Sequence, residues 1–126
     1  MTAERRGSGG PLRIGTRKSE LALRQARLVE RTLAGAGVEC ELVTITTTGD
    51  KRNAEPFAQI GARGLFTHEL EQALLRGKVD CCVHSLKDLP TSSPDGLAIA
   101  AVLERADPRD ALCLLYTSDA ADNREV

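Results

Sequence analysis

A short strand that passes almost directly into a helix constrains the fold most strongly. Leu12 to Thr16 is an apolar run, and apolar residues then recur with helical spacing between Leu21 and Leu33. Ser19 is placed to cap this helix, and Gly35 and Gly37 are placed to end it. A strand that leads so quickly into a helix predicts the first half of a β-α-β unit.

The rest of the chain continues the alternation. Val38 to Thr48 alternates and is rich in Val, Ile and Thr, which predicts a second strand. Thr67 is placed to cap a second helix, and strands are predicted over Asp80 to Leu86 and over Leu97 to Leu103. The predicted order is β-α-β-α-β-β. It indicates an α/β fold with a mostly parallel sheet flanked by helices.

Composition excludes several functional classes. The chain has 126 residues, 41% of them hydrophobic, which allows one domain at most. Seventeen Lys and Arg against eighteen Asp and Glu leave a net charge of −1, which argues against nucleic acid or an anionic membrane as partner. No apolar stretch approaches the roughly 20 residues that span a bilayer. The polar, Gly-rich segment Met1 to Pro11 is predicted to be a flexible leader of a cytoplasmic protein.

Two further features are neutral with respect to function. The four cysteines lack metal-binding spacing and are interpreted as unreactive packing residues, so no metal is predicted; they are Cys40, Cys81, Cys82 and Cys113. Between Gly49 and Gly64 the periodicity ends in a stretch rich in glycine and charge. We expect that stretch to be a mobile loop.

Polar residues follow each of the three predicted parallel strands, so they should meet at one edge of the sheet. Open α/β sheets bind ligands outside the carboxyl ends of their strands. The edge is predicted to hold a mixture of cations, hydroxyls and carboxylates: Arg17, Lys18 and Ser19, then Thr47, Thr48, Asp50, Lys51 and Arg52, and finally Ser85, Lys87 and Asp88. The helix that begins at Ser19 adds backbone donors for an anion.

Several stretches of the chain, in order, resemble one family. They are Arg13 to Ser19 with Leu21-Ala22-Leu23, Thr47 to Asp50, Gly64 to Thr67 with Glu69-Leu70-Glu71, Val83 to Pro90, and Asp107 to Ala111. From about Leu12 to Leu114 the chain is similar to the N-terminal part of the hydroxymethylbilane synthase family, also called porphobilinogen deaminase. The order and rough spacing of five stretches make this resemblance more specific than any single motif.

The resemblance implies an activity and a fold. The family joins four porphobilinogen units head to tail, releases ammonia each time and produces hydroxymethylbilane for haem and related pigments. Its members are usually cytoplasmic monomers whose covalent dipyrromethane primer lies between two α/β domains that resemble type-II periplasmic binding proteins. The resemblance also implies that residues 12–104 form part of the first domain and that residues 105–115 begin the crossover to the second.

The resemblance further implies roles for individual residues. Each pyrrole carries acetate and propionate groups, which need cations and hydroxyls to hold them. The binding residues implied are Arg17, Ser19, Gln25, Ser85 and Lys87. Asp88 is the implied catalytic residue, since its carboxylate would stabilise positive charge on a pyrrole and govern proton movement there.

Structural alternatives exist for several of these residues. Ser19 can serve only as a helix cap, and Gln25 can simply be solvated. His84 is interpreted as a hydrogen-bonded histidine of the core or rim rather than a base. Glu69 and Glu71 are interpreted as charges at a helix terminus. Arg63 lies where the family often has a basic residue, but within the loop that we expect to be mobile.

The chain also departs from the family pattern. It has no counterpart of the family's second-domain arginine cluster, primer-bearing cysteine or third domain, and residues 116–126 do not resemble the family. We therefore expect a truncated product that is inactive alone, with an artefactual tail. The runner-up function is a non-catalytic α/β module that binds a small anion; a regulatory effector-binding domain is disfavoured because no helix-turn-helix segment precedes it.

Overall fold

The computed structural model describes residues 9–51 and 64–112. Within these residues lie three strands and three helices, in chain order β1 (Leu12–Thr16), α1 (Glu20–Gly35), β2 (Cys40–Thr44), α2 (Thr48–Lys51), α3 (His68–Leu75) and β3 (Cys81–Cys82). A single 3₁₀ turn follows at Leu86–Asp88. The predicted α/β architecture is confirmed.

The strands form a parallel sheet in the order β2-β1-β3. Strand β1 pairs along its whole length with β2, from Leu12 opposite Cys40 to Thr16 opposite Thr44. The chain therefore passes from β1 to β2 on one side of β1, and later crosses from β2 to β3 on the other side of β1. Because such crossovers are right-handed, α1 and α3 cover opposite faces of the sheet, and the direction of winding reverses between β1 and β3. Ligands of open α/β sheets bind at such a reversal.

Helix α1 begins and ends where its terminal residues satisfy its backbone. The Ser19 hydroxyl accepts a hydrogen bond from the Ala22 N–H at 3.4 Å, so the predicted cap is confirmed. At the other end Gly37 adopts a left-handed conformation, with φ of 80°. The N–H groups of Gly37 and Val38 then return to the carbonyls of Ala34 and Leu33, which closes a Schellman motif.

The core lies between α3 and the sheet. Its buried members are Leu70, Ala73, Leu74, Val79, Cys82 and Leu97. Strand β3 packs so closely on β1 that a Cβ atom at Gly15 would lie 2.8 Å from the Cys82 sulfur. Helix α1 buries only Ala26 completely, whereas Leu21 and Leu28 are about half exposed. The α3 side therefore supplies most of the apolar burial.

Three predicted elements were wrong in extent or type. The second strand covers Cys40–Thr44 rather than Val38 to Thr48, because Val38 closes α1 and Thr48 begins α2. The third strand ends at Cys82, after which one more ladder bond joins the Val83 N–H to the Gly15 carbonyl before the chain turns.

The fourth predicted strand, Leu97 to Leu103, does not form. Only Ala98 makes an isolated bridge. Leu97 is buried in the core, but Ile99 and Val102 are 50% and 78% exposed. The apolar run is therefore anchored at one residue, without a neighbouring strand to pair with in the described part of the chain.

The expected loop from Gly49 to Gly64 begins later than predicted, because Thr48–Lys51 is helical. Its remainder, with Arg52 and Arg63, lies outside the described residues. So do most of the predicted leader, Cys113 and the tail. No helix of the described segments is long and apolar enough to cross a membrane.

Candidate active site

A cavity of about 390 Å³ opens where the chain leaves β1 and β3, at the reversal of winding. This volume is in the range of small-molecule pockets. Its walls come from the start of α1, from the segment after β3 and from Phe66. The lining residues are Arg17, Ser19, Leu21, Ala22, Gln25, Phe66, Val83, His84, Ser85, Lys87 and Asp88.

All six site residues predicted from the sequence line this cavity. Two of them are joined directly, since the Ser85 hydroxyl donates to Gln25 Oε1 at 2.8 Å. Gln25 is thus engaged with the opposite wall of the cavity rather than simply solvated. The alternative prediction, that Gln25 is simply solvated, was wrong. Ser19 both caps α1 and lines the cavity, so its two possible roles are compatible.

Arg17 is held by one carboxylate and faces a second. Its Nε donates to Asp50 Oδ1 at 3.0 Å, and its Nη2 donates to the same oxygen at 2.5 Å. Its Nη1 lies 3.7 Å from Asp88 Oδ2, which is an ion pair without a hydrogen bond. The guanidinium also lies over the Phe66 ring, 4.1 Å from its centroid. Arg17 is therefore fixed at the cavity wall from three directions.

Asp50 is itself fixed by the start of α2. The Thr47 N–H and hydroxyl donate to Asp50 Oδ2 at 3.2 Å and 2.7 Å, and the Asp50 N–H donates to the Thr47 hydroxyl at 3.2 Å. These reciprocal bonds are a capping box. Burial alone would raise the pKa of Asp50, but the hydrogen bonds from Arg17 and Thr47 outweigh it and lower that pKa. Asp50 is accordingly an ionised partner for Arg17 at neutral pH.

Phe66 reaches the cavity because Gly49 has no side chain. A Cβ atom at Gly49 would lie between 2.3 and 2.8 Å from three atoms of the Phe66 ring. The ring is thus in close contact with the backbone of α2 while the guanidinium of Arg17 lies over it. Gly49 is required here for close approach of the ring.

His84 lines the cavity as a neutral group. Burial, together with the nearby positive charge of Arg17, lowers its pKa from 6.5 to about 4. Its Nε2 atom is buried and makes no hydrogen bond. A histidine that is neutral at pH 7 is not a source of positive charge for binding carboxylates.

The two glutamates lie in the first turn of α3, as expected for helix-terminus charges, and they also make contacts beyond the helix. Glu69 Oε1 accepts hydrogen bonds from both the N–H and the hydroxyl of Thr48, which ties α3 to the beginning of α2. Glu71 is buried, with 8% of its surface exposed. Thr67 stands at the cap position of α3, but its hydroxyl is buried and makes no cap bond.

The remaining predicted edge residues that the structure describes do not line the cavity. Thr47 and Thr48 are engaged in the bonds described above, while Lys18 and Lys51 are not among the lining residues. Burial raises the pKa of Cys82 to about 12, which makes its thiol a poor nucleophile. The residues that the structure describes contain no cluster of three or more His, Cys, Asp or Glu able to hold a metal ion.

The arrangement suits a ligand that carries both carboxylates and a developing positive charge. Arg17 and Lys87 supply cations to the cavity, Ser19 and Ser85 supply hydroxyls, and Asp88 supplies a carboxylate. Sequence reasoning placed Asp50 at this edge but gave it no role, and it missed Phe66. The Thr-x-x-Asp spacing of the capping box signals Asp50, whereas the position of Phe66 depends on tertiary contacts alone.

Comparisons with known proteins identify a family. Residues 12–126 match the family model described as porphobilinogen deaminase, dipyromethane cofactor binding domain. Its fold is of the periplasmic-binding-protein type, as the resemblance implied.

Individual relatives agree with the family model. The chain is 54% identical over 102 residues to the porphobilinogen deaminase of Geobacter sulfurreducens, a match that covers 79% of this chain and 32% of the relative. It is 48% identical over 111 residues to the porphobilinogen deaminase of Phenylobacterium zucineum, which covers 79% of this chain and 35% of the relative. The chain thus spans about a third of the length of the curated relatives that it matches.

Proposed function

This chain belongs to the porphobilinogen deaminase family, and we propose that it forms the first part of an enzyme that joins four porphobilinogen units into hydroxymethylbilane with release of ammonia. The reaction belongs to tetrapyrrole biosynthesis, and the enzyme is a transferase. The single observation that supports the proposal best is the convergence of all six implied site residues on one cavity.

The cavity suits the substrate in both charge and size. Porphobilinogen carries two carboxylates, which match the guanidinium of Arg17 and the ammonium of Lys87. Ser19 and Ser85 supply hydroxyls that can donate to the same groups. Asp50 accepts hydrogen bonds from Nε and Nη2 of Arg17. Nη1 makes no hydrogen bond in the described segments, so it is available to a substrate carboxylate.

The same residues fit the dipyrromethane primer. It consists of pyrrole rings bearing carboxylates, so the cavity's cations and hydroxyls would hold it as they hold substrate. When bound, dipyrromethane supplies the pyrrole carbon to which the first porphobilinogen unit is joined. Its covalent attachment is assigned to none of the four cysteines, because none of them matches the primer-bearing position of the family; they are Cys40, Cys81, Cys82 and Cys113.

Asp88 is the proposed catalytic residue. Loss of ammonia from porphobilinogen leaves positive charge on the pyrrole, and an ionised carboxylate beside that charge lowers the barrier. Asp88 also offers an acceptor for the pyrrole N–H proton. Its side chain is 17% exposed, so its charge is less screened by water than a surface carboxylate would be.

The proposal extends to the setting of the protein. The family resemblance implies a cytoplasmic monomer whose first α/β domain includes residues 12–104 and whose crossover to a second domain begins at residues 105–115. Sedimentation of the purified protein measures the oligomeric state directly, and a single species of monomer mass is the expected result.

A hybrid enzyme tests the proposed function. In it, this chain supplies the region that matches the Geobacter sulfurreducens relative, and the relative supplies the rest. Given porphobilinogen, the hybrid is expected to produce hydroxymethylbilane and ammonia, and the 126-residue chain alone is expected to produce neither. A well-folded hybrid that binds porphobilinogen without turnover would favour the non-catalytic anion-binding module instead.

A further inference from the structure

We propose that Asp50 is a positioning residue. Its carboxylate binds Nε and Nη2 of Arg17 and thereby keeps the guanidinium from forming hydrogen bonds with Asp88. The inference rests on the proposed function, because it concerns the residue to which that function assigns the chemistry. It adds Asp50 to the residues on which turnover depends, although Asp50 does not line the cavity.

The first observation is the asymmetry of Arg17 between two carboxylates. Three hydrogen bonds of 2.5 to 3.3 Å join its Nε and Nη2 to Asp50, while its nearest contact with Asp88 is an ion pair at 3.7 Å. Such charge-assisted hydrogen bonds are stronger than an ion pair that makes no hydrogen bond. Arg17 is therefore paired with Asp50 and leaves the Asp88 oxygens available to a ligand.

The second observation is that Asp50 cannot follow Arg17 into the cavity. The capping box with Thr47 fixes the Asp50 carboxylate to the first turn of α2, and Thr47 is completely buried. The same turn is tied to α3 through the bonds from Thr48 to Glu69. The anchor of the arginine is thus part of the scaffold rather than a mobile side chain.

The third observation concerns what Arg17 would do without this anchor. Asp88 is the other carboxylate within 4 Å of Arg17 in the described segments. A released guanidinium would gain hydrogen bonds by moving the short distance to Asp88. That pairing would occupy the oxygens that are proposed to stabilise positive charge and accept a proton, so it would slow turnover more than it would weaken substrate binding.

The activity test uses the hybrid enzyme. Asp50→Asn removes the charge at nearly constant shape and is expected to lower kcat by roughly 10- to 100-fold, with a smaller change in KM. Asp50→Glu keeps the charge and places the usual capping-box residue at this position, so it is expected to restore much of the lost kcat. The matched control is Asp80→Asn, which breaks the similar pair with Arg13 away from the cavity and is expected to leave kcat unchanged.

A spectroscopic test uses the 126-residue chain labelled with ¹⁵N at arginine Nε. The Arg17 Nε–H, which donates to Asp50, is expected to exchange slowly with solvent and to lose that protection in Asp50→Asn. Unchanged protection, or an Asp50→Asn hybrid with unaltered kcat, would overturn the inference. If the unaltered hybrid forms no hydroxymethylbilane, the proposed function fails, and the exchange measurement still decides whether Asp50 holds Arg17.

Discussion

The two ends of strand β1 carry the same kind of ion pair in different surroundings. At the beginning of the strand, Arg13 donates from Nε and Nη2 to Asp80 at 3.1 and 2.9 Å. Beyond its end, Arg17 donates from the same two atoms to Asp50. Each arginine has a second carboxylate nearby, Glu41 for Arg13 and Asp88 for Arg17. Within the described segments, Arg17 but not Arg13 also lies over an aromatic ring and lines the cavity.

This comparison shows that an arginine–aspartate pair is by itself no sign of function. Asp80 also accepts a hydrogen bond from the backbone N–H of Arg13, so that pair ties β3 to β1 and completes a structural contact. In the described part of the chain, Nη1 of Arg17 makes no hydrogen bond, while Asp50 accepts bonds from Nε and Nη2. A cationic donor without a protein hydrogen-bond partner at the wall of a cavity distinguishes the binding end of the strand.

The largest expected effect comes from Asp88. In the hybrid enzyme, Asp88→Asn keeps the side-chain shape but removes the charge proposed to stabilise the pyrrole cation. We expect kcat to fall by about 10²- to 10³-fold. Steady-state formation of hydroxymethylbilane measures it. A similar fall of kcat in Asp80→Asn would contradict the conclusion that only the cavity end of β1 takes part in turnover.

A smaller effect separates the two arginines. Arg17→Lys keeps the charge but loses the bidentate fork, so KM for porphobilinogen is expected to rise by about 10- to 100-fold. Arg13→Lys makes the same chemical change at the other end of β1, and its KM should match that of the unaltered hybrid. Equal KM values for the two variants would contradict the assignment of Arg17 to binding.

The next effect is a pH dependence that originates at the cavity end. Because the pKa of His84 is lowered from 6.5 to about 4, the unfolded chain takes up a proton there before the folded chain does as the pH falls. The free energy of unfolding should therefore decrease from about pH 6.5 to pH 4, by about 3 kcal/mol at most. Urea unfolding across this range checks it, and His84→Gln should flatten the profile. An equally steep profile in that variant would show that His84 is not the cause.

The smallest effect separates the two roles of Ser19. Ser19→Ala removes the cap and is expected to cost about 1 kcal/mol of stability. Ser19→Asp keeps a capping oxygen but adds negative charge to the cavity, so stability should be retained while KM rises. Thermal unfolding and steady-state kinetics measure the two results separately. An unaltered KM in Ser19→Asp would show that Ser19 acts only as a helix cap and does not contact the substrate.

How far the sequence predicts this molecule depends on the range of the interactions involved. Local signals located β1 and both ends of α1, because caps and hydrophobic periodicity act within a few residues. They failed for Leu97 to Leu103, whose composition suits a strand but which has no strand beside it in the described segments. β-structure depends on a partner that local composition does not reveal.

The candidate site divides in the same way. Arg17, Ser85, Lys87 and Asp88 could be predicted from motifs at strand ends and from family resemblance. Other contacts of the site join residues that are 17 to 33 positions apart: Glu69 with Thr48, Phe66 with Gly49, and Asp50 with Arg17. Such contacts depend on how separate segments of the chain come together, which no single stretch of sequence encodes.

The most direct test of the central claim is to map porphobilinogen binding on the 126-residue chain by amide chemical shifts. The account predicts that the shifts cluster beyond the end of β1, at residues 17–19, and after β3, at residues 83–88, while Arg13 and Asp80 remain unperturbed. Shifts centred on Arg13 and Asp80, or no shifts at residues 17–19 and 83–88 at saturating porphobilinogen, would contradict it.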